Sequence, residues 1–508
     1  MKKYIIIFVS AFLIFSCNDD VLDLDNPNNY SENTYYKNSD ECIKAVNAIY
    51  GGFYFMYARE YYFMFDLLGN DGEKKTALNP QIAVFSSFTY DKTTEFINNL
   101  WRSLYRMVLR ANLAERKITE WETKTDEEAE LRIQLIGEAK FLRAWSYFKL
   151  VTLWGRVPLR KSWDDKAIQN ISRSSVESIY AFIEEDLKDA ASKLPVSHPV
   201  DIGRVTKGAS VALLGKVLLY QGKYAEAENE LKKLDGSEYS YSLADNYETN
   251  FVEDGDNNSE SVFEVQHGFF VGDNYWYMFG GEETWGGSAI HTGRAKEYDF
   301  TSWNNLKISK TGAKAFTYKD ETNSDYTDPR AYMVFYNAPG ENYYGGDTDY
   351  AGGNYPESAG LSWRKYQNLE TIPSEPNPSS GINSKIIRFS DVLLLWAEAL
   401  IEQNKVTDAL PLINRVRARV GAFEYTTLGT QAEAMEKLKH ERQLELFGEQ
   451  QRWFDIVRWD DLDVLANEKK DYYGNSFSIN DKYYLFPIPE NEKKYNTEVA
   501  NDISNDWN

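Results

Sequence analysis

The sequence predicts a mainly α protein, a tetratricopeptide-like helical-repeat superhelix with a large irregular lobe inserted into it. Three observations predict this architecture. Residues 211–234, VALLGKVLLYQGKYAEAENELKKL, place Leu214, Gly215, Leu218, Gly222, Tyr224 and Ala227 at tetratricopeptide spacing, where small residues let paired antiparallel helices approach closely. Residues 393–419, LLLWAEALIEQNKVTDALPLINRVRAR, repeat the pattern with Trp396, Ala397, Leu400, Asn404, Val406 and Ala409, and Asn stands where the first unit has its turn glycine. Between the two units, residues 236–384 lose helical periodicity and become rich in Gly, Asn, Asp, Tyr and Trp.

The N-terminus is a separate element. Lys2 and Lys3 precede an apolar run from Tyr4 to Phe15, which ends at Ser16-Cys17-Asn18-Asp19-Asp20. A membrane-spanning helix needs about 20 apolar residues, so this run is too short to span. Basic residues, a short apolar stretch and a small residue at the cleavage position make residues 1–16 an export signal. General physical logic does not decide which peptidase cuts it. Ile14-Phe15-Ser16-Cys17 resembles the lipobox of bacterial lipoproteins, in which the cysteine is diacylated, and the acids that follow resemble the surface-export signature of Bacteroidetes lipoproteins. Cys17 is the expected lipidation site, and residues 17–35 form a tether.

Residues 36–235 are read as the first part of the helical scaffold. The segments 94–120 and 127–153 carry apolar side chains at i, i+3, i+4 and i+7, and 175–194 begins at a serine cap and stops at Pro195. Gly222 closes the first helix of the repeat at 211–234, and Tyr224 begins the second. Residues 236–384 form the inserted lobe, and insertions of this kind commonly carry a binding face. Residues 385–508 complete the scaffold and return the chain.

Composition narrows the function. Removing 16 residues from 508 leaves 492, and with two lysines gone 54 basic residues face 78 acidic ones, a formal charge of −24. Such a body repels nucleic acid and anionic headgroups, so membrane contact falls to the lipid. Once Cys17 is acylated, Cys42 has no disulfide partner and reads as a small buried hydrophobe. No metal or cofactor site is expected. The four histidines, His198, His267, His291 and His440, fall in no HExxH motif, and no Gly-rich phosphate loop or Gly-x-Ser-x-Gly elbow occurs. EDGDNNSE, residues 253–260, faintly resembles a calcium loop but lacks the glycine at the required position and the terminal bidentate glutamate, and it reads as a surface turn. Carboxylate pairs suited to glycoside hydrolysis remain open, since 78 acids offer many.

The aromatic supply is more specific. Residues 273–303 set Tyr275, Trp276, Tyr277, Trp285 and Trp303 among glycines. Sugars offer a C–H face to aromatic rings and hydroxyls to polar neighbours, so this composition suits carbohydrate, with burial of the rings beneath the lobe as the alternative.

The segments LWRSLYRMVLRAN (100–112), GEAKFLRAWSYFKLVTLWGRVPL (137–159), RFSDVLLLWAEAL (388–400), INRVRARVG (413–421), ERQLELFGEQQRWFDIVRW (441–459) and YYLFPIPENE (483–492) together resemble the SusD/RagB family of surface glycan-binding lipoproteins. The resemblance implies a SusD-like fold, noncatalytic capture of oligosaccharide without a cofactor, and a lid position on a SusC-like TonB-dependent transporter. A peptide-capturing relative and a surface glycoside hydrolase are the alternatives. Trp276, Tyr277 and Trp285 are the expected stacking platform. Asn70, Asp71, Tyr90 and Arg364 are the expected polar or rim contacts, placed by region because no binding residue matches a fixed family motif. Arg143, Arg388, Glu398, Glu441, Arg442, Arg452 and Asp455 are read as paired, buried charges of the scaffold instead of a site.

Overall fold

In a computed structural model, the structure describes residues 35–57, 60–74, 80–163, 170–268, 292–298, 305–336, 361–367, 380–470 and 476–502. The signal at 1–16 and the tether through residue 34, Cys17 included, lie outside the described residues.

Helices α1 (Ser39–Tyr57), α2 (Glu60–Leu68), α3 (Pro80–Ser87), α4 (Glu95–Glu120), α5 (Asp126–Trp154), α6 (Val176–Lys193), α7 (Lys207–Tyr220) and α8 (Tyr224–Lys233) make up the first part of the scaffold. Their starts follow local chemistry. The side chains of Thr125, Ser175 and Thr206 accept hydrogen bonds from the backbone N–H groups of Glu128, Ser178 and Ala209, each satisfying a donor that the first turn leaves open. Helix α5 is buried on almost every side from Leu135 to Trp154, because α1, α4 and α6 all pack against it.

The two repeat units turn in the same way. At the end of α7, Gly222 takes φ +71°, its N–H reaches Leu219 O at 2.9 Å, and Lys223 N–H reaches Leu218 O at 3.0 Å. In the second unit, α9 (Phe389–Glu402) leads to α10 (Val406–Arg419) through Asn404 at φ +61°, with Asn404 N–H on Ile401 O at 2.8 Å and Lys405 N–H on Leu400 O at 2.9 Å. Asn serves there because its short polar side chain tolerates the left-handed region. Helix α8 packs directly on α9, so units far apart in sequence are neighbours in the stack. Helix α11 (Gln431–Glu445), opened by a Thr430/Glu433 capping box, packs on α9 and α10.

The C-terminal return closes the chain on its beginning. Helix α12 (Arg452–Arg458) packs on α2, Phe486 N–H donates to Leu153 O at 2.6 Å, and the Trp154 indole donates to Pro487 O at 3.0 Å. Beyond it, α13 (Glu490–Tyr495) precedes the last residues.

The segment between α8 and α9 contributes short strands that pair two by two, one of them with a strand that follows α2. Strand β1 (Gly72–Lys74) pairs with β3 (Leu306–Ile308), β2 (Ser261–Val265) with β8 (Ser384–Arg388), β4 (Thr317–Lys319) with β5 (Asp325–Thr327), and β6 (Phe335–Tyr336) with β7 (Ser362–Trp363), all antiparallel. The β2–β8 ladder joins residues early in the insertion to its end, immediately before α9 begins. Phe316, Trp363 and Tyr366 belong to the same hydrophobic cluster as Cys42 and the scaffold helices, so these pieces share the scaffold's core. No helix among the described residues is long and apolar enough to cross a membrane.

Candidate functional site

The ends of the aromatic-rich insertion segments gather on one base. After β2, the His267 N–H donates to Asn383 Oδ1 at 2.7 Å, its Nε2 lies 3.0 Å from Ser384 Oγ, and its ring stands edge-on to Tyr54 of α1 with centroids 6.1 Å apart. Thr292 and Ser380 exchange two backbone hydrogen bonds, at 3.0 and 2.8 Å. In the short helix Arg294–Tyr298, the Arg294 guanidinium lies 4.1 Å from the Tyr366 ring centroid, and the Tyr298 ring stacks on Trp363 at 4.8 Å. The β6–β7 pairing places Tyr336 opposite Ser362. Residues 268, 292, 336, 361, 367 and 380, which flank the stretches 269–291, 337–360 and 368–379, are therefore held close to one another on a buried foundation.

Charge beneath the base is balanced by pairing. Arg330, Lys365, Arg388, Arg417 and Arg419 face Glu260, Asp328, Glu441, Glu445 and Glu449, all buried. Arg388 bonds Glu260, reaches Glu445 at 2.9 Å and Glu449 at 2.6 Å, and Arg330 reaches Asp328 at 2.8 Å and Glu441 at 2.7 Å. Burial opposes ionisation of Glu445, but the guanidinium groups of Arg419, Arg388 and Arg330 outweigh it and hold its carboxyl well below the usual range. Burial lowers Lys365 to about 8 despite its 2.7 Å contact with Glu449.

A second cluster joins Arg442 to Asp391 and Asp455, and Arg458 to Asp455 and Glu398. Arg143 pairs with Asp186 at 2.7 Å. The expected structural role thus describes Arg143, Arg388, Glu398, Glu441, Arg442 and Asp455. Arg452 departs from it, being half-buried on α12.

Three expected contacts are corrected. Asn70, Asp71 and Tyr90 are 3, 1 and 2 % exposed, so none of them forms part of a ligand rim. Asn70 takes φ +67° in the turn after α2, where its Oδ1 accepts from Ser309 Oγ at 2.8 Å. Asp71 Oδ2 accepts from the Gly448 N–H at 2.9 Å. Tyr90 packs among Phe85, Tyr483 and Phe486. Directly after Asp71 the chain enters β1, which pairs with a strand more than 200 residues away.

Arg364 is half-buried, bonding Glu248 at 2.8 Å and lying 5.5 Å from the Tyr336 ring centroid. Trp276, Tyr277 and Trp285 lie outside the described residues, as do Trp303, Tyr343 and Tyr344.

Sequence reasoning missed Tyr332, 54 % exposed one turn before β6, and the half-buried pair Tyr54 and His267. Tyr332 lies in the apolar run AYMVFY, where no periodicity separates its exposed ring from its buried neighbours.

Beneath the site, Asp66 accepts the Tyr298 hydroxyl and the Gln450 amide, and burial pushes its carboxyl up to about 6 against those bonds and the Arg294 charge. His198 and His440 bond the backbone oxygens of Val205 and Ala315, and His291 lies outside the described residues. No group of three His, Cys, Asp or Glu among the described residues is placed to hold a metal. The stretch 253–260 forms short turns as expected, except that Glu260 is fully buried in the charge network.

Comparison with known proteins gives a consistent result. A family profile described as the SusD family matches residues 226–503, and one described as starch-binding associating with outer membrane matches residues 22–219. The chain is similar to SusD-like protein P38 of Formosa agariphila, 24 % identical over 505 residues and covering 90 % of this chain and 92 % of the relative. It is similar in structure to a SusD superfamily protein from Bacteroides vulgatus, with TM-score 0.75, 26 % identity, and 92 % of this chain and 99 % of the other covered. A solved laminarin binding SusD-like protein aligns with TM-score 0.72 and 25 % identity over 91 % of this chain and 98 % of its own.

Proposed function

The chain belongs to the SusD/RagB family, and from that premise we propose that it is a noncatalytic cell-surface protein that binds oligo- or polysaccharide. The observation that carries this reading is the shared base. Segments containing Trp276, Tyr277, Trp285, Tyr343 and Tyr344 leave from and return to residues held together by β2–β8, β6–β7 and the Thr292–Ser380 bridge. Flanking residues held in this way limit the length of chain that binding has to order. Trp276, Tyr277 and Trp285 are the stacking platform in this reading, with Arg364 and the exposed Tyr332 at its edge. The laminarin binding relative and the starch-binding description of the matched N-terminal profile favour a glycan. The protein is anchored to the outer membrane through lipid on Cys17 and hands its ligand to a SusC-like TonB-dependent transporter.

Isothermal titration against a panel of polysaccharides and peptides, with product analysis of the same mixtures, tests the reading. A glycan that binds and is recovered intact supports it; shortened products would make the protein a hydrolase, and binding of peptides alone would make it a peptide-capturing relative. Truncating a well-packed aromatic anchor typically costs at least ~2 kcal/mol, more than tenfold in affinity. Alanine at Trp276, Tyr277 and Trp285 should therefore give one or two severe losses with folding preserved. If all three variants bind like the parent, the platform lies elsewhere, and Trp303 with Tyr343 and Tyr344 is examined next.

A further inference from the structure

The loop between α6 and α7 carries apolar side chains that the scaffold leaves uncovered: Val200 is 88 % and Ile202 63 % exposed. The end of this loop comes down against β2, where a Cβ on Gly203 would stand 2.3 Å from Gln266 Cγ. Beside that contact, residues 201–204, the middle of α1 and the end of β2 enclose a cleft of about 380 Å³, a volume in the range of small-molecule sites. The β2 wall ends at Gln266, shortly before the chain enters the aromatic-rich stretch 269–291.

On α1, Asn47, Gly51 and Tyr54 fall at i, i+4 and i+7 and share one helical face. A Cβ on Gly51 would meet nothing within 4 Å, so the helix leaves open space between Asn47 and the half-buried Tyr54. The charges in the walls are already paired. The Arg204 guanidinium bonds Glu138 at 2.8 Å, Asn47 Oδ1 at 2.9 Å and Asp201 Oδ2 at 3.3 Å. Glu264 bonds Lys385 at 2.7 Å, and the Gln266 amide is held by Asn257 and Asn383. Among the described residues, the Tyr54 hydroxyl, Asn47 Nδ2 and Asp201 Oδ1 take part in no hydrogen bond.

We infer that this cleft is an extension subsite for a neutral, β-linked gluco-oligosaccharide, filled by chains long enough to run past the aromatic platform of the insertion; the inference rests on the glycan-binding reading above. The Tyr54 ring from one wall and the Ile202 side chain from another offer apolar surface to a sugar ring. A β-glucopyranose, with every substituent equatorial, presents C–H groups on both of its faces to such surfaces. Asn47 Nδ2 donates, Asp201 Oδ1 accepts and the Tyr54 hydroxyl does either, which matches sugar hydroxyls that both give and take hydrogen bonds. Among the described residues lining the cleft, Arg204 is the one cation and Asp201 and Glu264 are the acids. With Arg204 spent on Glu138 and Asp201, a sugar carboxylate would find no unpaired cation, so the lining favours a neutral chain over an acidic one.

Titration of the full-length protein with laminaritriose and laminarihexaose tests the inference. The hexaose should bind at least about tenfold more tightly than the triose, since only the longer chain fills platform and cleft together. Tyr54→Ala removes the ring, and Gly51→Leu fills the open space beside it through a Cβ that meets no neighbour. Each variant, verified as folded by circular dichroism, should erase the advantage of the hexaose, so that both probes bind with about the affinity of the triose. The severe variants among Trp276→Ala, Tyr277→Ala and Trp285→Ala should weaken both probes and keep their ratio. Failure of the hexaose to bind at millimolar concentration, equal binding of the two probes by the parent, or parallel loss of both through Tyr54→Ala and Gly51→Leu would overturn the subsite. Loss of the hexaose advantage through those two variants, with all three lobe variants binding like the parent, would sustain the cleft and refute the platform, so the two readings fail separately.

Discussion

Arg388→Met removes the cation at the centre of the buried network. Arg388 is 2 % exposed and bonds three carboxylates: Glu260, Glu445 at 2.9 Å and Glu449 at 2.6 Å. Each keeps another partner: Glu260 has Arg419 at 2.9 Å, Glu445 has Arg419 and Arg330, and Glu449 has Lys365 at 2.7 Å. The variant thus leaves four cations against five carboxylates, one uncompensated charge instead of three. Breaking a buried ion pair by removing one partner costs about 3–5 kcal/mol, and the surviving partners place this change towards the lower end.

Urea unfolding followed by tryptophan fluorescence at pH 7 should show the loss as a lower midpoint. Arg388→Met with Glu449→Gln restores four against four and should recover part of it. Acid provides a second reading. A carboxylate such as Glu445, whose pKa folding depresses, stabilises the fold above its unfolded value of about 4.3, and that stability is lost as pH falls through the folded value. Without Arg388 the folded value rises, so the acid-unfolding midpoint moves to higher pH. Unchanged urea and acid midpoints would refute the claim that these paired charges support the fold.

Gly215→Leu should destabilise the protein by about 1–3 kcal/mol, because even a Cβ at that position would stand 2.5 Å from Leu231 Cγ where α7 meets α8; an unaltered melting temperature would place the helix contact elsewhere. Asp66→Asn should gain on the parent as pH rises from about 4 to 6, by roughly 3 kcal/mol across that window, and stay level above it. The raised carboxyl favours its protonated form in the fold and costs stability as it ionises, which asparagine cannot do, so a stability difference independent of pH would refute it. Cys17→Ala should move the protein from the membrane to the soluble fraction in cells lacking the transporter, since the acyl chains supply the membrane affinity; retention in the membrane would count against lipidation.

Much of the scaffold is written locally. Apolar spacing, the caps at Ser175 and Thr430, and the left-handed turns at Gly222 and Asn404 each depend on residues a few positions apart, so the sequence by itself determined the helices and their pairing into repeats. It also determined that the charged motif residues would need partners, since a charge on an apolar helix is costly to bury alone. Which partners they take was decided only by the tertiary structure, as Arg388 with Glu260 and Glu445 shows. The same holds for the stacking of α8 on α9 and the pairing of β1 with β3, which turned the expected rim residues Asn70 and Asp71 into interior ones. The cleft between α1, residues 201–204 and β2 likewise joins stretches far apart in the chain. Helix formation and capping act over one or two turns, whereas burial, strand pairing and the assembly of a surface depend on which distant segment arrives alongside, and no local pattern carries that information.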